Sequence, residues 1–588
     1  MMVSVEQAAK LIKLGQVVAF PTETAFAFGA DATNRNAVEL IYKLKKRLHN
    51  KKMPILVESI KQLKTVAHVP EVIEYLSEKM HPGPVSFTVS TRFPWIGAFR
   101  LTPNEIANQL LKATGRPLIA TSANLSGKAP AYSPEDVLEH FDIPVVKVLK
   151  KLQKRPVSTM FNPDGRKFIR EGTISKAEVL KHYFAFTALK KIRPTTHTRK
   201  HVNKIVSEVL REARKVVGNK VLCGGSIAKD TYLDKVSDID FFFFFRKGTN
   251  LEDHLDDLKK VAGKFGKVET NYAQHPYLKV EDYKGVSLEF IPAYKTKKGE
   301  VLSAADRSIW HVKWVKELDR KLKDEILIAK QFCKGVGVYG ADLEVQGLSS
   351  YAIEVLVAKN GGFIPFLEEL VNLKWPVLEK DPVDKKRNVL ASLNNKTFTN
   401  FKKAIRAYLD TPYWNFFFPR EIPVFDKLEA TSNKLLIEIK KPEDLVTDDA
   451  AWGMARRYAR KISRIASKED YIVNRHEVFV GRKIIILFEL AALTKNVKVD
   501  VGPPLNSKKH CENFTTKNAL NFVIDDRVWA FTEPRFRDFS QLVLGIEDKI
   551  GRPDVYPGHS MFHAYKKYYE GEKQFVCKFL INKEIWEL

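Results

Sequence analysis

The stretch that most restricts what this chain can become is Val221–Phe245, reading VLCGGSIAKDTYLDKVSDIDFFFFF. A short apolar run breaks at Gly224-Gly225 and passes through a polar turn. It resumes as five consecutive phenylalanines preceded by Asp238 and Asp240. Residues two apart on a strand share one side of a sheet, so both carboxylates aim into one site. Two carboxylates held close repel each other unless a cation sits between them, and oxygen-seeking Mg²⁺ suits that place. Gly224 and Gly225 leave room for a phosphate to approach the backbone, with Ser226 as an added hydroxyl donor. Alone, a Gly-Gly is an ordinary turn and an Asp-x-Asp an ordinary solvated loop. In this order, between strands that read as buried, they point to phosphoryl or nucleotidyl transfer with two metals.

The same order resembles the nucleotidyltransferases related to DNA polymerase β, whose signature is Gly-Ser, a helical turn and then Asp-x-Asp. The resemblance implies that Gly225, Ser226 and Lys229 meet the nucleotide and that Asp238 and Asp240 hold metal. It also implies a third carboxylate on an adjacent strand. Glu289, in the apolar run Val286–Ile291 followed by Pro292-Ala293-Tyr294, fits that role. Read without the resemblance, Glu289 faces solvent at a sheet edge.

With 588 residues the chain is too long for one core and should divide into three to five domains. An apolar fraction of 44% supports globular folding along its whole length. The net charge of +27 suits a polyanionic partner, nucleic acid before membrane surface. Cys223, Cys333, Cys511 and Cys577 are scattered without a CxxC pair, so they propose neither a zinc site nor a disulfide framework. His197 and His201 lie four apart in a basic, Thr-rich segment that reads as solvated linker, not as a metal site. The longest apolar runs, Phe241–Phe245 and Ile484–Phe488, are too short to cross a bilayer. A soluble, cytoplasmic protein with no membrane partner is expected.

From the N-terminus, helix and strand patterns alternate. Ser4-Val5-Glu6-Gln7 reads as a capping box, and the helical stripe after it stops at Gly15. Strands are expected at Val17–Phe20, Ile55–Val57, Val85–Val89, Ala98–Leu101 and Pro117–Ala120, with a helix from about Ala37. This alternation predicts an α/β domain with a twisted sheet and a ligand site at its strand ends. Taken by spacing alone, the polar residues at those ends are ordinary turn residues.

Several separated motifs nevertheless stand in the order of the YrdC-like family, over about residues 3–182. They are Phe20–Thr24, Lys45-x-Arg47 with Pro54, Pro82-Gly83-Pro84, Arg100, Thr121–Asn124, Ser158-Thr159 and Arg170-Glu171-Gly172. That family makes threonylcarbamoyl-AMP from L-threonine, bicarbonate and ATP, for modification of the adenosine beside the anticodon of certain tRNAs. The resemblance implies Thr24 for threonine. Lys45, Arg47, Arg100, Thr121, Ser122, Asn124, Ser158 and Arg170 would surround threonine and ATP. Phe26, Ala27 and Thr102 depart from the family's Tyr, Gly and Pro.

Residues 184–200, with Pro194, threonines and a charge run, read as a polar junction. A helix is expected over His201–Val217, an amphipathic one over Leu251–Phe265, and strands near Val268 and Val286–Ile291. Further on, the resemblance narrows to the archaeal-type (class I) CCA-adding enzymes, or tRNA nucleotidyltransferases. It rests on Asp306-Arg307…Trp310–Val315, Lys330, Val338–Ala341, Gly347–Tyr351 and Asp381–Val389. It implies His311, Lys330 and Tyr339 on the incoming triphosphate and Arg387 on the base. From about Ile422 strands and helices alternate again. A basic-aromatic helix at Met561–Tyr569 reads equally as an RNA surface or as amphipathic packing.

The expected architecture is thus α/β and α+β multidomain. It comprises a YrdC-like twisted-sheet domain (1–183), a polymerase-β-like nucleotidyltransferase head (184–305), a helical central domain (306–421) and an α+β RNA-binding body and tail (422–588). The expected function is bifunctional tRNA maturation: C, C and A added to tRNA 3′ ends from CTP and ATP with two Mg²⁺, and threonylcarbamoyl-AMP synthesis. tRNA and nucleotides are the partners, with a threonylcarbamoyl-transferase complex downstream. The rivals are a non-catalytic RNA- or nucleotide-binding N-terminal module, and another polymerase-β-like enzyme such as a poly(A) polymerase.

Overall fold

A computed structural model describes residues 1–148, 151–272, 275–297, 300–425, 432–442 and 447–587. The chain divides into two compact units. One comprises Met1–Lys191 with Ile405–Trp414, the other Ile192–Ala404 with Asn415–Leu588. Among the described residues no helix is long and apolar enough to cross a membrane.

In the first unit the helix Val5–Lys13 begins at Ser4, whose hydroxyl and the Gln7 side chain cap each other's backbone amides. The expected strands form as Val18–Pro21, Met53–Leu56, Val85–Thr88, Ile96–Arg100 and Leu118–Ser122, all within one ten-stranded mixed sheet. Leu118–Ser122 lies between Phe26–Asp31 and Met53–Leu56, so segments distant in sequence meet at one end of the sheet. Ile12, Leu110 and Leu111 from two helices close the core against Val18, Phe20 and Leu118. Ile405–Trp414 belongs to this unit although it lies more than two hundred residues downstream. Its Tyr408 is fully buried, and the phenol donates to the Lys181 carbonyl at 2.6 Å.

The second unit begins with a five-stranded sheet ordered Val221–Cys223, Asp238–Phe245, Val286–Tyr294, Pro276–Tyr283 and Val268–Tyr272. Ile239, Phe241, Phe243 and Phe245 point into the core shared with the helices Thr196–Val217 and Leu255–Ala262. Each buried phenylalanine contributes roughly 1.5–3 kcal/mol, so this face has no freedom to slip by one residue. Residues 308–404 are mainly helical, with Ser308–Lys316, Arg320–Gly335, Ser350–Asn360 and Phe363–Asn372 among them. A four-stranded sheet follows, ordered Val473–Val480, Lys483–Leu490, Lys434–Lys440 and Pro553–Pro557. It is buried on both sides. Ile484, Ile486 and Phe488 meet the helix Asp448–Lys468, while Ile485 and Leu487 meet the C-terminal helices.

Four local expectations are corrected. Residues 184–200 are helical apart from Arg193–Thr195, where Pro194 interrupts and Thr195 caps the next helix. His197 and His201 are therefore on a helix, and His201 Nε2 lies 3.0 Å from the Lys284 carbonyl. The helix anticipated over Leu251–Phe265 is a 3₁₀ turn, Leu251–His254, followed by a shorter helix, Leu255–Ala262. Met561–Tyr569 breaks after Tyr565, and its Tyr565 and Tyr568 lie in the core instead of facing RNA. The Tyr568 phenol donates to the buried Glu438 at 2.6 Å. An aromatic-basic alternation cannot by itself distinguish the two faces.

Two candidate active sites

The alternation that buries Phe241, Phe243 and Phe245 turns Asp238, Asp240 and Phe242 to the other side of the strand, where they line a cavity of about 330 Å³. Asp238–Phe245 runs parallel to Val286–Tyr294 in a register that sets Asp240 opposite Glu289. Burial, and then the neighbouring Asp238 charge, pushes Asp240 up to about 6. Burial followed by Asp240 and Asp238 pushes Glu289 up to about 7.

The glycines are required here by geometry. The Gly224 amide donates to the Asp240 carbonyl at 2.9 Å. Gly225 has φ +55°, and a Cβ on it would lie 1.7 Å from Asp240 Oδ2. A Cβ on Gly224 would lie 2.3 Å from the Phe242 ring. Asp238 is exposed and accepts from the Ser237 hydroxyl. Among the described residues no group of three or more His, Cys, Asp or Glu side chains is gathered closely enough to hold a metal ion. The donor set does fit a hard divalent cation: three carboxylates at adjacent sheet positions, two of them destabilised by mutual repulsion and burial.

Gly225, Ser226, Lys229, His311, Lys330 and Tyr339 line the same cavity as the two aspartates. Glu289 instead lines an adjoining cavity of about 330 Å³ with His275, Tyr277 and Ser303; Phe242 and Ser308 border both. Arg387 does not line the first cavity. It bonds Asp381 Oδ2 at 3.0 Å, one residue behind the wall.

Glu354 and Thr231, together with Tyr351 and Asp381 from the motifs quoted above, organise this site although the sequence assigned them no role. Glu354, fully buried, accepts from Lys229 at 2.9 Å, Lys330 at 2.7 Å and the Thr231 hydroxyl at 2.6 Å. Burial would raise its carboxyl, but Lys229 and Lys330 outweigh that and hold it at about 2. Burial lowers Lys330 to about 8, against the opposing pull of Glu354. Asp381, also fully buried, meets His311 Nε2 at 3.1 Å, the Tyr351 phenol at 3.0 Å and Arg387. His311 stacks on Tyr351 with ring centroids 3.6 Å apart. A carboxylate inside the apolar run Ala352–Val357 was the available signal for Glu354.

The first unit carries a larger cavity, of about 770 Å³. Thr24, Arg47, Arg100, Thr121, Ser122, Asn124, Ser158 and Arg170 all line it. Among the described residues, seven lysines and arginines and no Asp or Glu border the space, which suits an anionic ligand. Arg170 is fixed by its Nε to the Ser158 carbonyl and by Nη2 to the Ser158 hydroxyl, both at 2.9 Å. Thr102, one of the departures, donates to Glu23 at 2.6 Å, and Glu23 in turn pairs with Arg100 at 3.1 Å. Phe26 and Ala27 are buried on the cavity wall.

Lys45 is placed differently from its expected role. It does not line the cavity and is 2% exposed. Its ammonium donates to the Ser122 carbonyl, the Asn124 carbonyl at 2.9 Å and Asn124 Oδ1 at 3.0 Å. Burial, then Arg47, lowers it to about 7. Lys45 thus shapes the Ser122–Asn124 loop from behind.

The folds and sites define a nucleotidyltransferase carrying a second, YrdC-like domain, and family models match both parts. The Sua5, YciO and YrdC family model, described as telomere recombination, matches residues 10–172. Models for a nucleotidyltransferase domain, the second domain of tRNA nucleotidyltransferase and the C-terminal domain of CCA-adding enzyme match residues 202–311, 324–378 and 430–555. A CCA-adding enzyme of Saccharolobus islandicus (strain M.14.25 / Kamchatka #1) is 31% identical over 376 residues, covering 60% of this chain and 88% of that protein. The CCA-adding enzyme of Saccharolobus shibatae is 30% identical over 425 residues, covering 68% and 98%. The chain belongs to the CCA-adding enzyme family. A solved structure of a P. abyssi Sua5 variant, 28% identical, covers 31% of this chain and 63% of that one with a TM-score of 0.29.

Proposed function

We propose that this chain is a bifunctional tRNA-maturation enzyme that adds C, C and A to tRNA 3′ ends from CTP and ATP and makes threonylcarbamoyl-AMP from L-threonine, bicarbonate and ATP. The observation that supports the first activity best is the abutment of Gly225 against Asp240, with Glu289 in register beside it. In this reading the Gly224–Gly225 backbone and Ser226 receive the phosphates. Asp238, Asp240 and Glu289 hold two Mg²⁺, which when bound would activate the terminal 3′-hydroxyl and steady the departing pyrophosphate. Lys229, His311 and Tyr339 line the same cavity and would meet the triphosphate, where fixed cations and donors count most as charge develops. Arg387 would read the base, its rigid donor fork meeting acceptors of cytosine or adenine. The test is a tRNA lacking its CCA end, given labelled CTP and ATP. Growth by three residues and then arrest supports the reading, whereas long A tracts support a poly(A) polymerase.

The second activity is supported by the acid-free, seven-cation cavity. Thr24 would meet threonine, while Arg47, Ser122, Asn124, Ser158 and Arg170 would surround ATP, with Lys45 holding the Ser122–Asn124 loop. Pyrophosphate release that requires both threonine and bicarbonate tests it. ATP binding without such release would make the domain a nucleotide-binding module.

A further inference from the structure

Lys229 and Lys330 both border the nucleotidyltransferase cavity, yet their surroundings differ. Lys330 is 1% exposed, and its ammonium meets three acceptors: the Thr231 carbonyl at 2.8 Å, the Thr231 hydroxyl at 3.1 Å and Glu354 at 2.7 Å. These three acceptors match the three protons of the ammonium. Lys229 bonds the other oxygen of Glu354 at 2.9 Å and sits 5.0 Å over the Tyr351 ring. Lys229 stands on the short helical turn Gly225–Lys229, directly after the glycines.

We propose that Glu354 is a positioning residue for nucleotide addition, an internal counter-ion that holds Lys229 aimed at the triphosphate while its other oxygen is held by Lys330. This rests on the reading of the cavity as a nucleotide site. Two ammonium groups beside each other in a low-dielectric wall cannot both stay protonated without an anion between them. Glu354 is that anion, and each of its oxygens holds one lysine. It touches neither substrate nor reacting atoms. The Thr231 hydroxyl donates to Glu354 at 2.6 Å and so fixes the carboxylate's rotation. Glu354 therefore acts through Lys229, which follows the glycines directly and lines the cavity.

The full chain carries the test: Glu354→Gln, which keeps the shape and removes the charge, with Glu354→Asp as the charge-conserving comparison. CTP and CMP are measured as competitive binders at fixed Mg²⁺, alongside kcat and KM for addition to a tRNA lacking its CCA end. CTP affinity should fall roughly tenfold to a hundredfold in Glu354→Gln, the range for losing one charged hydrogen bond. CMP affinity should change less than about threefold, because it carries no β- or γ-phosphate. Glu354→Asp should lie between wild type and Gln, and the loss should appear in KM more than in kcat, since the triphosphate is held in ground and transition states alike. Equal losses for CTP and CMP, or unchanged CTP affinity, overturn the proposal. If Glu354→Gln does not fold, Thr231→Ser, which keeps the hydroxyl, and Thr231→Ala, which removes it, take its place. Only the second should weaken CTP selectively, and no difference between them overturns the proposal. A wild-type chain that adds no nucleotides overturns the cavity reading itself, which is a distinct result.

Discussion

Asp240→Asn should stabilise the metal-free protein while abolishing nucleotide addition. Asp240 is raised from an ordinary 3.8 to about 6, first by burial and then by Asp238. A carboxyl with a higher pKa folded than unfolded binds more protons in the folded state. Its ionisation therefore lowers stability as the pH climbs from about 4 to about 6, and the full deficit persists above that. At about 1.4 kcal/mol per pKa unit, the deficit at pH 8 is roughly 3 kcal/mol. Asparagine keeps the shape, removes the charge and also relieves Glu289, its partner across the ladder. Thermal unfolding in chelator at pH 8 should show the nucleotidyltransferase transition several degrees higher in the variant, at roughly 2–4 °C per kcal/mol. The gain should shrink towards pH 4, where the wild-type carboxyl is protonated in both states. Mg²⁺ should raise the wild-type transition and leave that of the variant nearly unchanged. A variant no more stable than wild type at pH 8, or a gain that does not depend on pH, would refute the electrostatic argument.

Glu289→Gln should lower the turnover of C and A addition far more than nucleotide affinity, as single-turnover rates and CTP binding will show. Gly225→Ala places a methyl 1.7 Å from Asp240 Oδ2 at a φ of +55°, so addition should fall by about a hundredfold or more with tRNA binding retained in filter assays. Lys45→Met should weaken ATP binding to the N-terminal cavity by releasing the Ser122–Asn124 loop, an effect measurable by calorimetry on the full chain. A piece ending at Lys191 lacks the Ile405–Trp414 segment of its own unit, including the buried Tyr408. It should therefore melt well below the same domain in the intact chain, a large buried side chain being worth about 3–5 kcal/mol.

What the sequence determined by itself was chemistry that is local in the chain. Gly224-Gly225 and Asp238-x-Asp240 stand within seventeen residues, and strand alternation alone directs both carboxylates to one side. The Ser4 capping box was legible for a similar reason, as a short motif with its own geometry, whereas the eight lining residues of the N-terminal cavity stood out only through the family resemblance. Tertiary structure decided everything that depends on which distant segments meet. Glu354 and Lys330 lie 24 residues apart, and Lys229 lies 125 residues before Glu354, so no period or motif joins the three. Lys45 has the charge of a phosphate ligand, but burial and three backbone and amide acceptors from Ser122 and Asn124 turn it into a support. The segment around Tyr408 has no feature that reveals its membership of the first unit. Local sequence sets which side of an element a residue occupies, whereas the partner on that side is chosen by packing across the whole chain.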